Sequence, residues 1–227
     1  MADLNLYKKI AVRLLLFVPF AGILLFLPAG TFDYWEAWVF AAVFFTCNVV
    51  LTVYLVVKDP KLLERRMKVG PAAEKSTTQK IIVVFVFILF AGVAVLPALD
   101  HRFGWSEVPT AVAILSDVLV ALSYFGFYRV FRENTYGAAT IQVEAGQKVI
   151  STGPYALVRH PMYSVALIMF FSIPLALGSW WGLLIIAPSF LVLAWRLLDE
   201  EKFLHKNLPG YTEYTQRVRY RLVPYLW

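Results

Sequence analysis

Long uninterrupted apolar runs dominate the chain. They fall at roughly residues 10–28, 34–57, 81–99 and 108–130, each near the ~20 residues a helix needs to cross the ~30 Å hydrocarbon layer of a bilayer. Two shorter apolar segments follow at 162–177 and 180–198, separated by Gly178-Ser179, with Trp180 and Trp181 where an interfacial anchor belongs. They predict a tight helical hairpin. The pattern as a whole predicts an all-α integral membrane protein of about six transmembrane helices, a single membrane domain over 1–227 with no internal repeat. Residues 1–130 hold four N-terminal transmembrane helices, and 131–227 hold the two longest polar stretches, 131–161 and 196–227, around the hairpin. The basic and apolar connection Lys58–Lys80, with Asp59-Pro60 and Gly70-Pro71, is expected to lie on the headgroups.

Composition strengthens this picture. Sixty per cent of the 227 residues are hydrophobic and 16% charged, and the mean hydropathy is +0.67, too apolar for a soluble domain of this size. A net charge of +6 could suggest nucleic acid, but the bases sit in short loops between spans and form no extended face, so no nucleic-acid partner is expected. Twenty of the 21 Lys and Arg residues fall on one side of the expected topology; Arg102, in an Asp100–Glu107 loop, is alone on the other. The positive-inside rule then makes the protein multi-pass with both termini cytoplasmic. The first span follows Lys8 and Lys9 without a convincing small-x-small cleavage site after Pro28-Ala29-Gly30, and reads as a retained helix. The single Cys47 lies in an apolar stretch and reads as packing.

Candidate chemistry gathers in two places. The stretch from Gln142 to Tyr163 is turn-rich and polar before it enters an apolar helix. Pro161 suits the first turn of that helix, and biases His160 toward an extended conformation that leaves its backbone and ring available. The second cluster, Trp195-Arg196-Leu-Leu-Asp199-Glu200-Glu201, closes the hairpin. Arg196 and Glu200 are four apart, so on a helix they share a face and could pair or grip a zwitterionic ligand. Taken singly these residues read as interfacial charges and belt aromatics; three consecutive acids at a helix exit that favours positive charge make that reading less comfortable. The tail from Pro209 to Pro224 interleaves bases with aromatics, as a membrane-surface helix does, and could also close a pocket. Asp117 is the one acid inside a long span, where ionisable groups are functional candidates, but no partner can be named for it.

The sequence lacks Gly-x-Gly-x-x-Gly, a Walker loop, His-Glu-x-x-His and any paired Cys/His spacing. Its three histidines, His101, His160 and His205, are scattered, so no metal site is expected. At Gly153-Pro-Tyr-Ala-Leu-Val-Arg-His-Pro-Met-Tyr163, then Arg196-x-x-x-Glu200-Glu201-x-x-Leu204 and Pro209-Gly-Tyr-x-x-Tyr214, the chain resembles the isoprenylcysteine carboxyl methyltransferase family, with the related membrane phospholipid methyltransferases sharing the general pattern. The likeness covers residues 142–224; the first four spans match only as generic membrane helices. It implies an S-adenosyl-L-methionine cofactor and makes 131–227 the catalytic half. Carried over by position, Gln142, Gln147, Lys148, Val149, Ile150, Tyr155, His160, Pro161, Met162 and Tyr163 match cofactor-binding positions. Glu200 matches the acid that holds the cofactor, and Arg196 the arginine facing the methyl acceptor, so that both count as catalytic. The connection between Gln142 and Gln147 is shorter than in eukaryotic members.

Such chemistry needs neither metal nor strong base, because a carboxylate acceptor, with a pKa near ~4, is already ionised at pH 7. Arg196 would hold that carboxylate and Glu200 the cofactor's ammonium. A hydrophobic acceptor would enter from the membrane lipids and the soluble cofactor from the cytoplasm. Two other readings stand beside this one. One is a nicotinamide-dependent membrane reductase resembling the sterol and steroid reductases, which also carry a His-Pro-x-Tyr-like turn. The other is a non-enzymatic scaffold or transporter, for which intramembrane polar residues are sparse.

Overall fold

The computed structural model describes residues 4–227, with side chains from Leu6 onward. Six apolar helices run back and forth: α1 (Leu4–Ala29), α2 (Trp35–Lys58), α4 (Thr77–Phe103), α5 (Thr110–Glu133), α6 (Pro161–Ala176) and α7 (Ile186–Asn207). Two short helices, α3 (Pro60–Met67) and α8 (Tyr211–Arg217), lie at one end of the bundle. Five helices are long and apolar enough to cross a membrane, α7 counting from its lead-in turn at Trp181; α6, at 16 residues, is shorter. Their outer faces confirm the solvent they are built for: Leu15 and Leu27 of α1 and Leu191 of α7 are 69–73% exposed, an arrangement that only lipid tolerates along whole helices.

Contacts define two faces. At one, the α1–α2 turn, the end of α4 and the hairpin turn converge: the Tyr34 hydroxyl donates to the Leu177 carbonyl at 2.5 Å, Tyr34 stacks on His101, and buried Asp100 accepts from the hydroxyls of Ser106 and Ser179. At the other, the 134–141 loop joins α3 to Arg196, midway along α7. All of Lys58–Lys80 lies on this second face, as the hydropathy pattern requires.

Several helix ends depart from the hydropathy pattern for reasons of capping. The expected Asp100–Glu107 loop is helical as far as Phe103, because Gly104 takes a left-handed conformation and donates back to the Asp100 carbonyl at 2.7 Å. Arg102 therefore sits in a last helical turn. The second arm of the hairpin does not stop at 198 but continues to Asn207, which puts Arg196, Asp199, Glu200 and Glu201 on one helix. The 58–80 connection is more than a headgroup-lying loop: Asp59 caps α3 by accepting from the Leu62 amide, Pro60 occupies the first turn, and Leu62 and Leu63 are buried against Val130 and Phe131.

The interior is closest between α5 and α6. A Cβ on Gly126 would meet Val165 at 2.8 Å, the close backbone approach that small residues permit between membrane helices. At ~1.5 Å per residue α6 spans ~24 Å, short of the ~30 Å layer. Its far end is tied to the opposite face through Leu177.

Candidate functional site

The start of α6 forms one wall of a cavity of about 110 Å³. Gly153 makes the approach possible: its φ of +56° is left-handed, and a Cβ there would meet the Glu133 side chain at 2.6 Å. The turn that follows carries Tyr155, whose hydroxyl accepts from the Asn134 amide at 2.9 Å and so ties the loop after α5 to the wall. Gln142, Gln147, Lys148, Val149 and Ile150 line another side, with Tyr155, His160, Pro161, Met162 and Tyr163 on the α6 side and Glu200 from α7. All eleven positions assigned to a cofactor by resemblance thus border a single cavity. Tyr211 and Tyr214 of α8 complete it, so the tail does close the pocket; the Tyr214 hydroxyl donates to the Tyr155 carbonyl at 2.7 Å.

Arg196 is placed differently. It is buried behind Tyr163, outside the cavity lining, and makes no ion pair with Glu200. Its Nε donates to the Tyr163 hydroxyl at 3.2 Å, and Tyr163 donates in turn to Glu200, so the tyrosine stands between the two residues that helical spacing would pair. The remaining donors reach the first half of the chain: Nη1 to Gln79 at 2.9 Å, and Nη2 to Glu74 at 3.1 Å and to the Ala139 carbonyl at 2.8 Å. Gln79 also donates to Asp199. Four of a guanidinium's five N–H groups are therefore spent on the protein's own wall.

His160 is not left free either. Its amide donates to the Arg221 carbonyl at 3.0 Å, and its ring lies 3.4 Å from Glu201 and stacks on Tyr163. Glu201 also pairs with Arg159 at 2.9 Å and Arg221 at 2.8 Å. The tail crosses this segment like a strap, with Arg159 donating its amide to Tyr220 and Ser164 its hydroxyl to Leu222.

The cavity is lined by both signs of charge, Lys148 and Arg159 beside Glu200, and suits a polar, zwitterionic ligand. Glu200 lines it and, among the described residues, has no cationic partner. The Tyr211 hydroxyl is buried there without a hydrogen-bond partner among the described residues, which is costly unless a ligand supplies one. Burial pushes the Tyr155 phenol up to about 12, with the Glu200 charge adding to it and the Asn134 hydrogen bond opposing; burial likewise raises Tyr211 and Tyr214. These phenols stay neutral and offer electron-rich faces to a cation.

Residues 111–209, from α5 through α7, match the phospholipid methyltransferase family. The methyltransferase-family region contains every residue assigned to the cofactor and the Arg196-x-x-x-Glu200 pair. A stretch of 134 residues is also 31% identical to Delta(14)-sterol reductase of Mus musculus, an alignment covering 51% of this chain and 31% of that relative. The chain thus spans about a third of the length of the curated relative it matches.

Glu74 and Gln79 lie outside the methyltransferase-family region and were not singled out from sequence. The only local hints are an acid within a basic connection and an amide two residues before an apolar run. Asp117 stays without a partner: both carboxylate oxygens are buried and unbonded among the described residues.

Proposed function

We propose that the chain is an S-adenosylmethionine-dependent methyltransferase acting on a hydrophobic, carboxylate-bearing acceptor at the cytoplasmic membrane face. The observation that carries this reading is the meeting of the family-region side chains around one cavity in which, among the described residues, Glu200 lacks a cation and Tyr211 lacks a hydrogen-bond partner. Glu200 would hold the cofactor's ammonium, and the faces of Tyr155, Tyr163, Tyr211 and Tyr214 would surround its sulfonium. The bound cofactor supplies an already activated methyl group. What the protein adds is position: Arg196 fixes Tyr163 and the 139 backbone, the Glu201 strap fixes His160, and α8 excludes water. A carboxylate acceptor needs no proton removed, which accords with a site whose tyrosines are held neutral.

The match to a sterol reductase supports a second reading, a nicotinamide-dependent reductase using the same cavity. Titrating the detergent-purified protein with S-adenosylmethionine and, separately, with NADPH distinguishes them. Saturable binding of the sulfonium cofactor alone is expected. Saturable binding of NADPH alone would replace the methyltransferase reading with the reductase one, and binding of neither would remove both.

A further inference from the structure

Beside the cofactor cavity lies a second one, of about 260 Å³, between α1, α2 and α3. Four polar side chains line it: Arg13 of α1, Asn48 and Thr52 of α2, and Arg66 of α3. No acid lines it, and among the described residues neither arginine forms an ion pair. Arg66 is held only by neutral groups: its Nη1 donates to the Ala138 carbonyl at 3.3 Å and to the Met162 sulfur at 3.2 Å, and its guanidinium lies 4.9 Å over the Phe131 ring. Burial, opposed by Tyr163 and Tyr155 and reinforced by the like charge of Arg196, disfavours its charge. A guanidinium stays ionised nonetheless, so among the described residues nothing neutralises the positive charge of the cavity. Arg13, near the start of α1, is exposed and borders this cavity at its rim.

The position of Arg66 links two compartments. Phe131, Ala138 and Met162, its three contacts, all line the cofactor cavity. On the other side Phe17 lines both the Arg66 cavity and an apolar groove of about 870 Å³ between α1, α2 and α4. From Phe17 to Gly30 the groove follows α1 for 13 residues, ~20 Å at 1.5 Å per residue, the reach of a long acyl or prenyl chain.

Resting on the methyltransferase reading and sharpening it, we infer that Arg66, with Arg13, is the anion-recognition site for the acceptor: a single-chain amphiphile whose carboxylate sits against Arg66 and whose apolar chain lies along Phe17 in the α1–α2 groove. Arg196, its donors already engaged, is a positioning residue. The carboxylate is thereby brought to the Met162 wall of the cofactor cavity.

The test needs no methyl transfer. The protein in detergent is photolabelled with a palmitate carrying a mid-chain diazirine and, in parallel, with the matching alcohol, and the labelled peptides are mapped by mass spectrometry. The acid is expected to label residues 17–27 and 40–46 at least tenfold more than the alcohol. Arg66→Gln should bring acid labelling down to the alcohol's level and Arg13→Gln should lower it severalfold, with alcohol labelling unchanged in both. Should Arg66→Gln fail to fold, Arg66→Lys and Arg13→Gln decide through the same acid-to-alcohol ratio. Equal labelling by acid and alcohol in the wild type means annular lipid only and overturns the inference, as does acid labelling insensitive to both arginines. Failure of S-adenosylmethionine to bind would remove the methyltransferase reading without altering this readout, so the two failures are distinguishable.

Discussion

Removing the Glu74 carboxylate should unsettle a site whose recognised residues lie 68 to 126 positions further along the chain. Glu74 is 4% and Arg196 8% exposed, and they meet at 3.1 Å. Breaking one side of such a buried pair typically costs ~3–5 kcal/mol, because the remaining charge is left desolvated. Here Gln79, the Ala139 carbonyl and Tyr163 still hold the guanidinium, which places Glu74→Ala near the lower end, ~3 kcal/mol. At ~2–4 °C per kcal/mol for a chain of this size, the unfolding midpoint should fall by ~6–12 °C. Arg196→Met should be comparably harmful, since it strands Glu74. The Glu74→Leu/Arg196→Met pair should be less destabilised than the sum of its single changes by ~2 kcal/mol or more, as a double-mutant cycle reads coupling. Tryptophan fluorescence during heating in detergent measures all of these, and cofactor titration of each variant reports whether Tyr163 and the 139 backbone have moved. An unchanged midpoint in Glu74→Ala, or a strictly additive cycle, would refute the reasoning.

Three further outcomes follow from the same geometry. Glu200→Ala should weaken S-adenosylmethionine binding by ~10- to ~100-fold, the loss of one ~1.5–3 kcal/mol charge-assisted contact, in isothermal titration; equal affinity would remove Glu200 from its role. Tyr155 titrates near ~10 when unfolded but is pushed up to about 12 when folded. Its raised pKa therefore contributes stability that is complete below pH ~10 and lost as pH rises toward 12; in alkaline absorbance titration, wild type and Tyr155→Phe should diverge only above pH ~11, and divergence near pH 10 would contradict the burial argument. Ser179→Ala deprives fully buried Asp100 of one donor and the Gly182 amide of its acceptor, so it should cost ~1–3 kcal/mol of stability in the same thermal assay while leaving cofactor affinity unchanged.

The spans were legible because a bilayer imposes a length and a polarity that no other force in the chain overrides. Their ends were not, since ends are set by caps: Gly104 holds α4 as far as Phe103, past four residues that hydropathy assigns to a loop. In the site, the 142–163 and 196–204 residues could be read because they are close in sequence and match a family pattern. Glu74, Gln79 and Arg66 meet their partners across 72 to 122 positions, and no local spacing encodes such contacts. Arg196 shows the limit most clearly: four-residue spacing suggests Glu200 as its partner, but the Tyr163 hydroxyl from α6 fits between them and hands Arg196 to Glu74.

The most direct test of the central claim is to incubate the purified protein in lipid vesicles with S-adenosylmethionine labelled on its methyl group and with long-chain or prenylated carboxylic acids. Organic-extractable label that base releases as methanol, absent from Glu200→Ala, is the predicted result. No extractable label with any such acid, or label that resists base, would contradict methyl transfer to a carboxylate.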